Sequence, residues 1–391
     1  MSWPTEKLKV VAPAKPLKSV GVSKEENVLQ ITLDHIESNY GRLIKRNYAP
    51  VSQAGNSTHW FTSKHVLYSK LRPYLNKVYL PEEMGICTTE LVPMLPDEKV
   101  VDRRYLAYYL RSKTFVDWVS SQTAGAKMPR VSMKVFWEHK IPLPPLAEQK
   151  RIAAILDKAD AIRRKRQQAI QLADEFLRAV FLDMFGDPVT NPKGWDIEKI
   201  ENLCEVQGGI QVSKKRENLP LSAPYLRVAN VLRNRLDLSE IKNIKLTSSE
   251  YERVKLKKDD VLIVEGHGNP SEIGRSAICT KRVDGMVHQN HLIRVRVNNK
   301  RIRPLFINDY INSSGGRVQM MKASNTTSGL NTISTGIVRD TEIAVPPIDL
   351  QDKYLNLAGF VNNIIMKCGN HKNGVDVSFL SLSQKAFRGE L

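Results

Sequence analysis

The sequence predicts a mixed α/β (α+β) protein in which two similar globular domains are separated by two long helices that pair as an antiparallel coiled coil. Three observations lead to this prediction. A short motif occurs twice in the 391 residues, one central stretch without Gly or Pro favours a single long helix, and its apolar spacing returns near the end of the chain. With 41% hydrophobic residues, the chain can fill two or three ordinary domain cores.

The repeated motif reads IPLPPLAEQ at Ile141–Gln149 and IAVPPIDLQ at Ile343–Gln351. Each copy is a short apolar run closed by a Pro pair and followed by a helix-like stretch. Three further pairs keep the same order in both halves, and they begin at Trp3 and Trp195, at Tyr105 and Phe306, and at Thr123 and Thr327. Chance rarely reproduces such an order, so the pattern indicates a duplicated domain with diverged loops.

The first predicted domain spans residues 1–144, with short strand-like runs and a helix at about Arg103–Ser121. The second predicted domain spans residues 188–345, where strand-like runs alternate with loops rich in Gly, Asn and Pro. Both regions therefore have the pattern of an α/β globular domain.

The central long helix is predicted at 145–187, and a C-terminal long helix is predicted at 346–391. Both carry apolar residues at the alternating spacing of four and three that is typical of a coiled-coil seam. Gly369 and Gly374 destabilise the second helix, so we expect it to be weaker or kinked, with its middle near Asn370. The predicted seam residues are Ile155, Ala159, Ile162, Ala169, Ala173, Phe176 and Val180 in the first helix, and Leu350, Leu357, Val361, Ile364, Val375 and Leu382 in the second.

The charge of the chain favours a polyanionic partner. Its 59 Lys and Arg residues outnumber 41 Asp and Glu residues, which gives a net charge of +18. Nucleic acid is the first candidate, because Lys and Arg that neutralise phosphates release condensed counterions, and an anionic membrane surface is the second. The sequence contains no apolar run of transmembrane length and no apolar signal core at its start, so we expect a soluble, cytoplasmic protein.

Candidate DNA-binding residues are polar or basic side chains in predicted loops, where they could reach base edges or phosphates. For any one of them, a solvated charge or a structural hydrogen bond is the commoner role. The same holds for the basic run Arg163–Arg166 in the central helix. In the first domain the candidates are Lys70, Arg72, Tyr74, Asn76, Lys77, Thr88, Thr89, Lys127 and Arg130. In the second they are Gln211, Lys214, Lys215, Arg216, Arg227, Asn230, His267, Asn269, His288, Gln289 and Asn290.

The sequence contains no motif that would assign catalysis to this chain. It lacks a GxxxxGK[ST] phosphate loop, a GxGxxG turn and a GxSxG elbow, and we interpret Asn191–Trp195 as a turn. The pair His288 and His291 has no accompanying HExxH pattern or nearby Cys, so no metal site is predicted. The four cysteines, Cys87, Cys204, Cys279 and Cys368, show no CxxC spacing and are expected to be reduced thiols.

Three segments resemble the specificity subunit of type I DNA restriction-modification enzymes, namely Tyr68–Lys77, Pro142–Asp157 and Lys385–Leu391. The resemblance covers essentially the whole chain. It implies two target-recognition domains, each reading one half of a split, asymmetric DNA sequence, and two helices that pair as a spacer. It also implies that modification (methyltransferase) subunits, expected to be two, and ATP-dependent restriction subunits dock on this scaffold. S-adenosylmethionine, ATP and Mg²⁺ would then belong to those partners.

Two departures from the family pattern concern the second helix. It contains Gly369 and Gly374, and its PPIDLQ start lacks the AEQKRI sequence of the central copy. The two docking surfaces are therefore expected to differ. Two alternatives stay open at this point: a stand-alone nucleic-acid enzyme, such as a methyltransferase with its own recognition domains, and an architectural DNA-binding protein.

Overall fold

The computed structural model describes residues 3–17, 21–125, 128–322, 325–327, 330–367 and 372–391. Of these, residues 325–327, 330–331, 366–367 and 372–378 are described by their backbone alone. The chain forms two compact units. The first unit comprises Met1–Gln168 and Cys368–Leu391, and the second comprises Ala169–Lys367. Within the described ranges, no helix is both long enough and apolar enough to cross a membrane.

The first unit contains short strands followed by paired helices. In chain order its elements are β1 (Thr5–Lys7), α1 (Leu8–Val11), β2 (Asn27–Ile31), β3 (Tyr48–Pro50), β4 (Thr58–Phe61), β5 (Val66–Ser69), β6 (Val78–Tyr79), β7 (Gly85–Thr88), β8 (Leu91–Met94), α2 (Arg103–Arg111), α3 (Lys113–Ser121), β9 (Thr123–Ala124), β10 (Arg130–Val131), α4 (Met133–Glu138) and β11 (Lys140–Pro142). A helix of 40 residues, α5 (Leu146–Phe185), begins here and ends in the second unit.

The second unit follows a similar order of elements, with an additional helix among its strands. It contains β12 (Asp196–Lys199), α6 (Ile200–Leu203), β13 (Cys204–Gly208), β14 (Leu221–Leu226), β15 (Val231–Leu232), β16 (Arg235–Leu236), β17 (Lys242–Leu246), α7 (Ser248–Val254), β18 (Val261–Val264), β19 (Ser276–Ile278), β20 (Val287–His288), β21 (Leu292–Val297), α8 (Pro304–Asn312), α9 (Ser314–Lys322), β22 (Asn325–Thr327), β23 (Leu330–Thr332), α10 (Thr335–Asp340), β24 (Glu342–Val345) and α11 (Ile348–Lys367). The last helix, α12 (Lys372–Arg388), returns to the first unit.

The strand pairings of the two units correspond. One sheet has the order β6-β5-β8 in the first unit and β19-β18-β21-β13 in the second, where the β13 position is matched by a single bridge from Ala14 to Met94. The other sheet has the order β3-β2-β7-β4 and β17-β14-β20, with one parallel pair in each. The pairs β1-β11 and β12-β24 complete the match. The predicted duplication of an α/β domain is confirmed.

The helix predicted at about Arg103–Ser121 is two helices. Ser112 adopts an extended conformation, and its hydroxyl accepts a hydrogen bond from the Phe115 backbone N–H at 3.3 Å, so it begins α3 as an N-cap. Ser313 does the same between α8 and α9, where the Gly316 N–H donates to its hydroxyl at 3.2 Å. The break therefore follows from a serine that satisfies the first N–H groups of the next helix.

A fully buried glutamine ties the first turn of each long helix to its unit. Gln149 Oε1 accepts from the Asp102 N–H at 2.9 Å, and its Nε2 donates to Val100 O at 3.0 Å and Pro144 O at 2.9 Å. Because Asp102 is the N-cap of α2, these bonds connect α5 to the start of α2.

Gln351 makes the same three bonds at the start of α11. Its Oε1 accepts from the Arg303 N–H at 2.9 Å, and its Nε2 donates to Arg301 O at 2.9 Å and Pro346 O at 2.8 Å. The final residue of the repeated nonamer is thus a buried hydrogen-bonding group, which explains why both copies carry Gln at this position.

The buried face of α5 in the first unit lies one residue later than the predicted seam. Leu156, Asp160 and Arg163 are at most 5% exposed, whereas Ile162 is 52% exposed. The apolar pattern misplaced this face because two of the inward positions hold charged residues. Their burial is possible because Asp160 and Arg163 form an ion pair, and the Arg163 guanidinium lies 4.4 Å from the Phe379 ring centroid.

The other predicted seam residues differ in exposure. Ile364 and Phe176 are each 48% exposed, and Ala169 is also exposed. Val361 is buried. Those that are half-buried are Ile155, Ala159, Ala173, Val180, Leu350, Leu357 and Leu382. The side chain of Val375 and the expected kink near Gly369 and Asn370 lie outside the described residues, while Gly374 lies within α12.

Antiparallel contacts between the long helices occur inside each unit. In the first unit, Arg163 of α5 contacts Phe379 of α12, and the earlier Arg151 donates from Nη2 to the later Leu391 O at 3.2 Å. In the second unit, the ring of Tyr354 near the start of α11 packs against Phe181 near the end of α5, with centroids 5.6 Å apart. The predicted antiparallel pairing of the helical segments is confirmed within each unit.

A tyrosine–aspartate hydrogen bond also links the helices of each unit, with the two residue types exchanged. In the first unit, Tyr108 of α2 donates to Asp157 of α5 at 2.7 Å. In the second, Tyr354 of α11 donates to Asp309 of α8 at 2.6 Å. Burial raises the pKa of Asp309 to about 6, although the hydrogen bonds from Tyr354 and Asn308 oppose this rise.

Replacing either buried glutamine, Gln149 or Gln351, should destabilise the unit in which it lies. We expect Gln149→Ala and Gln351→Ala each to lower the free energy of unfolding by roughly 2–5 kcal/mol, because each buried polar group left without a partner costs about 1–3 kcal/mol. Urea denaturation measures the effect, and Gln168→Ala on an exposed position of α5 is the matched control. Equal stability of the Gln149 variant and this control would contradict the stabilising role assigned to the buried amide.

The pKa of Asp309 predicts a pH dependence with a defined sign. Because its folded pKa exceeds the unfolded value of about 3.8, the folded state binds more protons between pH 4 and 6. The contribution of Asp309 to the free energy of unfolding therefore falls as pH rises through this window, by on the order of 2 kcal/mol. We expect Asp309→Asn to remove this component in urea titrations, whereas Glu217→Gln at an exposed site retains it. Parallel pH profiles for wild type and Asp309→Asn would contradict the assignment.

Candidate nucleic-acid interface

Three segments of the first unit meet at the end of β5, and we call this meeting point the first junction. The Lys70 N–H donates to Glu90 O at 3.1 Å, and Lys70 O accepts from the Val131 N–H at 3.0 Å. A bridge from Leu71 to Arg130 continues the contact. The loop after β5, the residue before β8 and the β9–β10 hairpin are thereby fixed to one another by backbone hydrogen bonds.

The second unit builds the same arrangement at the end of β18, which we call the second junction. The Glu265 N–H donates to His291 O at 3.1 Å, and Glu265 O accepts from the Ile333 N–H at 2.9 Å. A bridge from Gly266 to Thr332 corresponds to the one in the first junction. Two units with the same backbone frame therefore differ at this place mainly in their side chains.

The loop after β5 presents predicted DNA-binding residues outward. Arg72 and Asn76 both have left-handed backbone conformations, with φ of 48° and 52°, on either side of a short turn at Pro73–Leu75. Non-glycine residues seldom adopt this conformation. Arg72 is exposed, Tyr74 is 51% exposed and Lys70 is half-buried. This turn thus carries a cation and an aromatic ring into solvent.

Three other candidates of the first unit have polar partners within the unit, and two of these lie inside the fold. Asn76 is buried and donates to Arg111 O at 3.1 Å, and Lys77 Nζ donates to Leu33 O at 2.7 Å. Arg130 pairs with Glu90, with Nη2 3.0 Å from Oε1, and this hydrogen bond raises the pKa of Arg130. Thr88 and Thr89 are half-buried at the end of β7, and Lys127 lies outside the described residues.

In the second unit, the segment from Gln211 to Arg216 is the most exposed candidate region. Gln211, Lys214 and Lys215 are exposed. Arg216 is held by two hydrogen bonds to Glu250, at 3.0 and 2.8 Å, and these lower the pKa of Glu250 to about 2. Arg216 is therefore a rigid anchor for this loop, and the two lysines remain at its surface.

The side chains of Asn230 and His288 make hydrogen bonds inside the fold and are not exposed to a base. Asn230 is 3% exposed and donates to Asp237 O and Glu240 O at 2.8 and 3.0 Å. His288 is fully buried, with Nδ1 3.0 Å from Val254 O, and burial lowers its pKa to about 4. The sequence pattern did not separate such residues from surface ones, because a polar side chain in a strand-like run has either role.

The remaining candidates of the second unit lie in loops or next to short turns. Arg227 pairs with Glu240 at 2.6 Å. The Asn269 N–H donates to His267 Nδ1 at 3.0 Å, and Asn269 Oδ1 accepts from the Ser271 N–H at 3.0 Å, which begins a short turn at Pro270–Glu272. Asn269 is exposed, whereas His267, Gln289 and Asn290 are half-buried.

Sequence reasoning missed an arginine cluster around the loop that follows β18. Arg233 Nη2 donates to Ser271 O at 3.2 Å, Arg317 Nη2 lies 3.5 Å from Pro270 O, and Arg275 pairs with Glu272 at 2.9 Å. Burial and then the neighbouring cation Arg317 lower the pKa of Arg233. These arginines are far apart in sequence, so only the folded chain brings their positive charges together.

The described residues contain no group of three or more His, Cys, Asp or Glu side chains that could hold a metal ion. His288 is bonded internally, whereas His291 Nδ1 lies 3.1 Å from Glu265 Oε2, so the two histidines have separate partners. Asn191 forms the predicted turn, with its amide bonded to the Trp195 carbonyl at 2.8 Å and its φ at 43°.

Two solved structures resemble the fold of this chain. One is a type I restriction-modification system S subunit from M. genitalium, with a TM-score of 0.57 and 14% identity over 98% of this chain and 96% of that chain. The other comes from work on complex assembly and conformational transition of the type I R-M system, with a TM-score of 0.54 and 16% identity over 100% and 98% of the two chains. At such low identity these likenesses establish the fold alone.

Sequence comparison establishes the family. The chain is 27% identical to the type I restriction enzyme EcoKI specificity subunit of Escherichia coli strain K12 over 318 residues, which are 76% of this chain and 68% of that protein. It is 26% identical to the StySPI specificity subunit of Salmonella potsdam over 76% and 67% of the two chains. Residues 58–172 and 192–357, more than half of the chain, match the family described as type I restriction modification DNA specificity domain. The chain belongs to this family of type I restriction-modification specificity proteins.

Proposed function

We propose that this chain reads a split, asymmetric DNA sequence, each unit recognising one half, and that it serves as the scaffold for modification and restriction subunits in the cytoplasm. The observation that carries the proposal is the junction built twice on one backbone plan with different side chains. Two similar frames with diverged contact residues suit two different half-sites on one duplex. Family membership supports the same role.

The net charge supports binding to the phosphate backbone. With a net charge of +18, the chain gains free energy from counterion release when it contacts duplex DNA. Exposed Lys214 and Lys215, together with half-buried Arg233 and Arg317, would supply such contacts in the second unit. Phosphate contacts position the protein, whereas donors and acceptors in the loops distinguish the bases.

We also propose that the chain is not an enzyme by itself. Its sequence lacks the phosphate loop and the other catalytic motifs that a stand-alone methyltransferase or nuclease would need. S-adenosylmethionine, ATP and Mg²⁺ would then be bound by its partners. Binding of S-adenosylmethionine to the purified chain alone would instead favour a methyltransferase with its own recognition domains.

The helices of the second unit offer an apolar docking surface. Leu172 and Phe176 of α5 are 56% and 48% exposed, and Phe360 and Ile364 of α11 are 63% and 48% exposed. On each helix the two side chains lie four residues apart and share a face, and exposed apolar side chains of this kind mark interaction sites. We call these four residues the apolar stripe. We assign this stripe to a modification subunit, the partner expected for a specificity subunit of this family.

Loss of the gene should remove one split methylation motif from the genome. If the chain directs modification, mapping of methylated bases should reveal a two-part sequence in the wild type that is absent from the deletion strain and returns on complementation. An empty-vector complement is the control. Identical methylation maps in the wild type and the deletion strain would count against the proposed function.

Polar substitution of the apolar stripe should weaken association with the modification subunit. We expect the double variant Phe176→Ser, Phe360→Ser to reduce co-purification at least about tenfold, since each buried aromatic contributes roughly 1.5–3 kcal/mol to an interface. The free energy of unfolding should change little, because both side chains are exposed. Val189→Ser, at a residue that is 58% exposed outside the helices, is the control. Unchanged co-purification would argue that the subunit docks elsewhere.

A further inference from the structure

We propose that three matched positions at the two junctions determine which base edges each unit reads, and this inference rests on the proposed function. The matched positions are 70 and 265, 90 and 291, and 130 and 332. In the first junction they hold Lys70, Glu90 and Arg130, and in the second they hold Glu265, His291 and Thr332.

The match rests on backbone hydrogen bonds and not on sequence alignment. The N–H of Lys70 and that of Glu265 each donate, at 3.1 Å, to the carbonyl of the residue that precedes the next matched strand. The Lys70 carbonyl accepts from the Val131 N–H of β10 at 3.0 Å, and the Glu265 carbonyl accepts from the Ile333 N–H, directly after β23, at 2.9 Å. Since the backbone atoms are fixed in the same way, the side chains leave the two junctions from corresponding points.

The side chains at these points have diverged in charge. The first junction holds two cations and one anion, and Arg130 Nη2 lies 3.0 Å from Glu90 Oε1. The second holds one carboxylate, and Glu265 Oε2 lies 3.1 Å from His291 Nδ1. The two junctions therefore share one backbone arrangement. The matched side chains carry two cations and one carboxylate in the first junction, but one carboxylate and neither Lys nor Arg in the second.

These side chains are accessible to a ligand. The exposed fractions are 50% for Arg130 and 55% for His291, against 27% for Glu90 and 29% for Glu265. In each junction a half-buried carboxylate therefore fixes a more exposed cationic or imidazole group. This arrangement positions an outward-facing side chain without using all of its hydrogen-bonding capacity.

The chemistry of the major groove assigns a base class to each junction. Lysine and arginine donate to the O6 and N7 acceptors of guanine, whereas a carboxylate accepts from the N4 amino group of cytosine or the N6 amino group of adenine. The first junction, with Lys70 and Arg130, suits a guanine edge. The second, with the Glu265 carboxylate and the more exposed His291 imidazole that it holds, suits an amino-bearing edge of cytosine or adenine.

Exchange of charge at one matched position tests the inference in the full chain bound to its modification subunits. Binding to a set of duplexes with each base pair of the split site substituted in turn gives the discrimination at every position. We expect Glu265→Lys to lower discrimination by on the order of 10- to 100-fold at a cytosine or adenine of one half-site only. Lys70→Glu should do so at a guanine of the other half-site only.

Two controls carry the same change in net charge outside the junctions. Glu201→Lys and Lys64→Glu lie at exposed positions of the second and first unit, and each should alter affinity for all duplexes alike. If Glu265→Lys fails to fold, Glu265→Ala removes both acceptor oxygens and should still lose discrimination at the same base pair. Unchanged discrimination in the folded variant, or a change in the wrong half-site, would overturn the inference. Absence of any split site in the wild type would instead overturn the proposed function.

Discussion

The buried glutamine at the first turn of each long helix is the interaction on which the architecture of both units depends. Gln149 and Gln351 use one amide to satisfy three backbone groups, including the N–H at the start of the paired helices. A buried amide with every bond made is stabilising, whereas a partly bonded one is costly, so its position is sharply defined. The long helices therefore begin at equivalent points of the two units, which makes the duplication a structural constraint as well as a similarity in sequence.

Within each unit, the backbone hydrogen bonds that hold the junction are distinct from the side chains that differ between the two units. The junctions are held by backbone hydrogen bonds that do not depend on residue type, so Lys70 can correspond to Glu265 without disturbing the fold. The same tolerance appears between the helices, where Tyr108 and Asp157 in one unit correspond to Asp309 and Tyr354 in the other with donor and acceptor exchanged. Such a frame allows the contact surface to change while the scaffold stays the same.

The burial of charge in the long helix shows where pattern-based prediction has a physical limit. A heptad pattern places apolar residues inward, yet Asp160 and Arg163 of α5 are buried because they pair with each other and with an aromatic ring. The predicted face was therefore displaced by one residue at Ile162. Among the candidate contact residues, His288 and Asn230 are likewise interior groups, since a polar side chain can be satisfied by backbone carbonyls as well as by DNA.

The sequence by itself determined the duplicated α/β plan, the long central helix, the family and the net positive charge, because these depend on periodicity, composition and local motifs. Only the tertiary structure decided which polar residues face outward, which helix positions are buried, and that Arg233 and Arg317 meet beside one loop. These features depend on contacts between residues distant in sequence, and their energies depend on the burial and charge of neighbours that no local pattern contains.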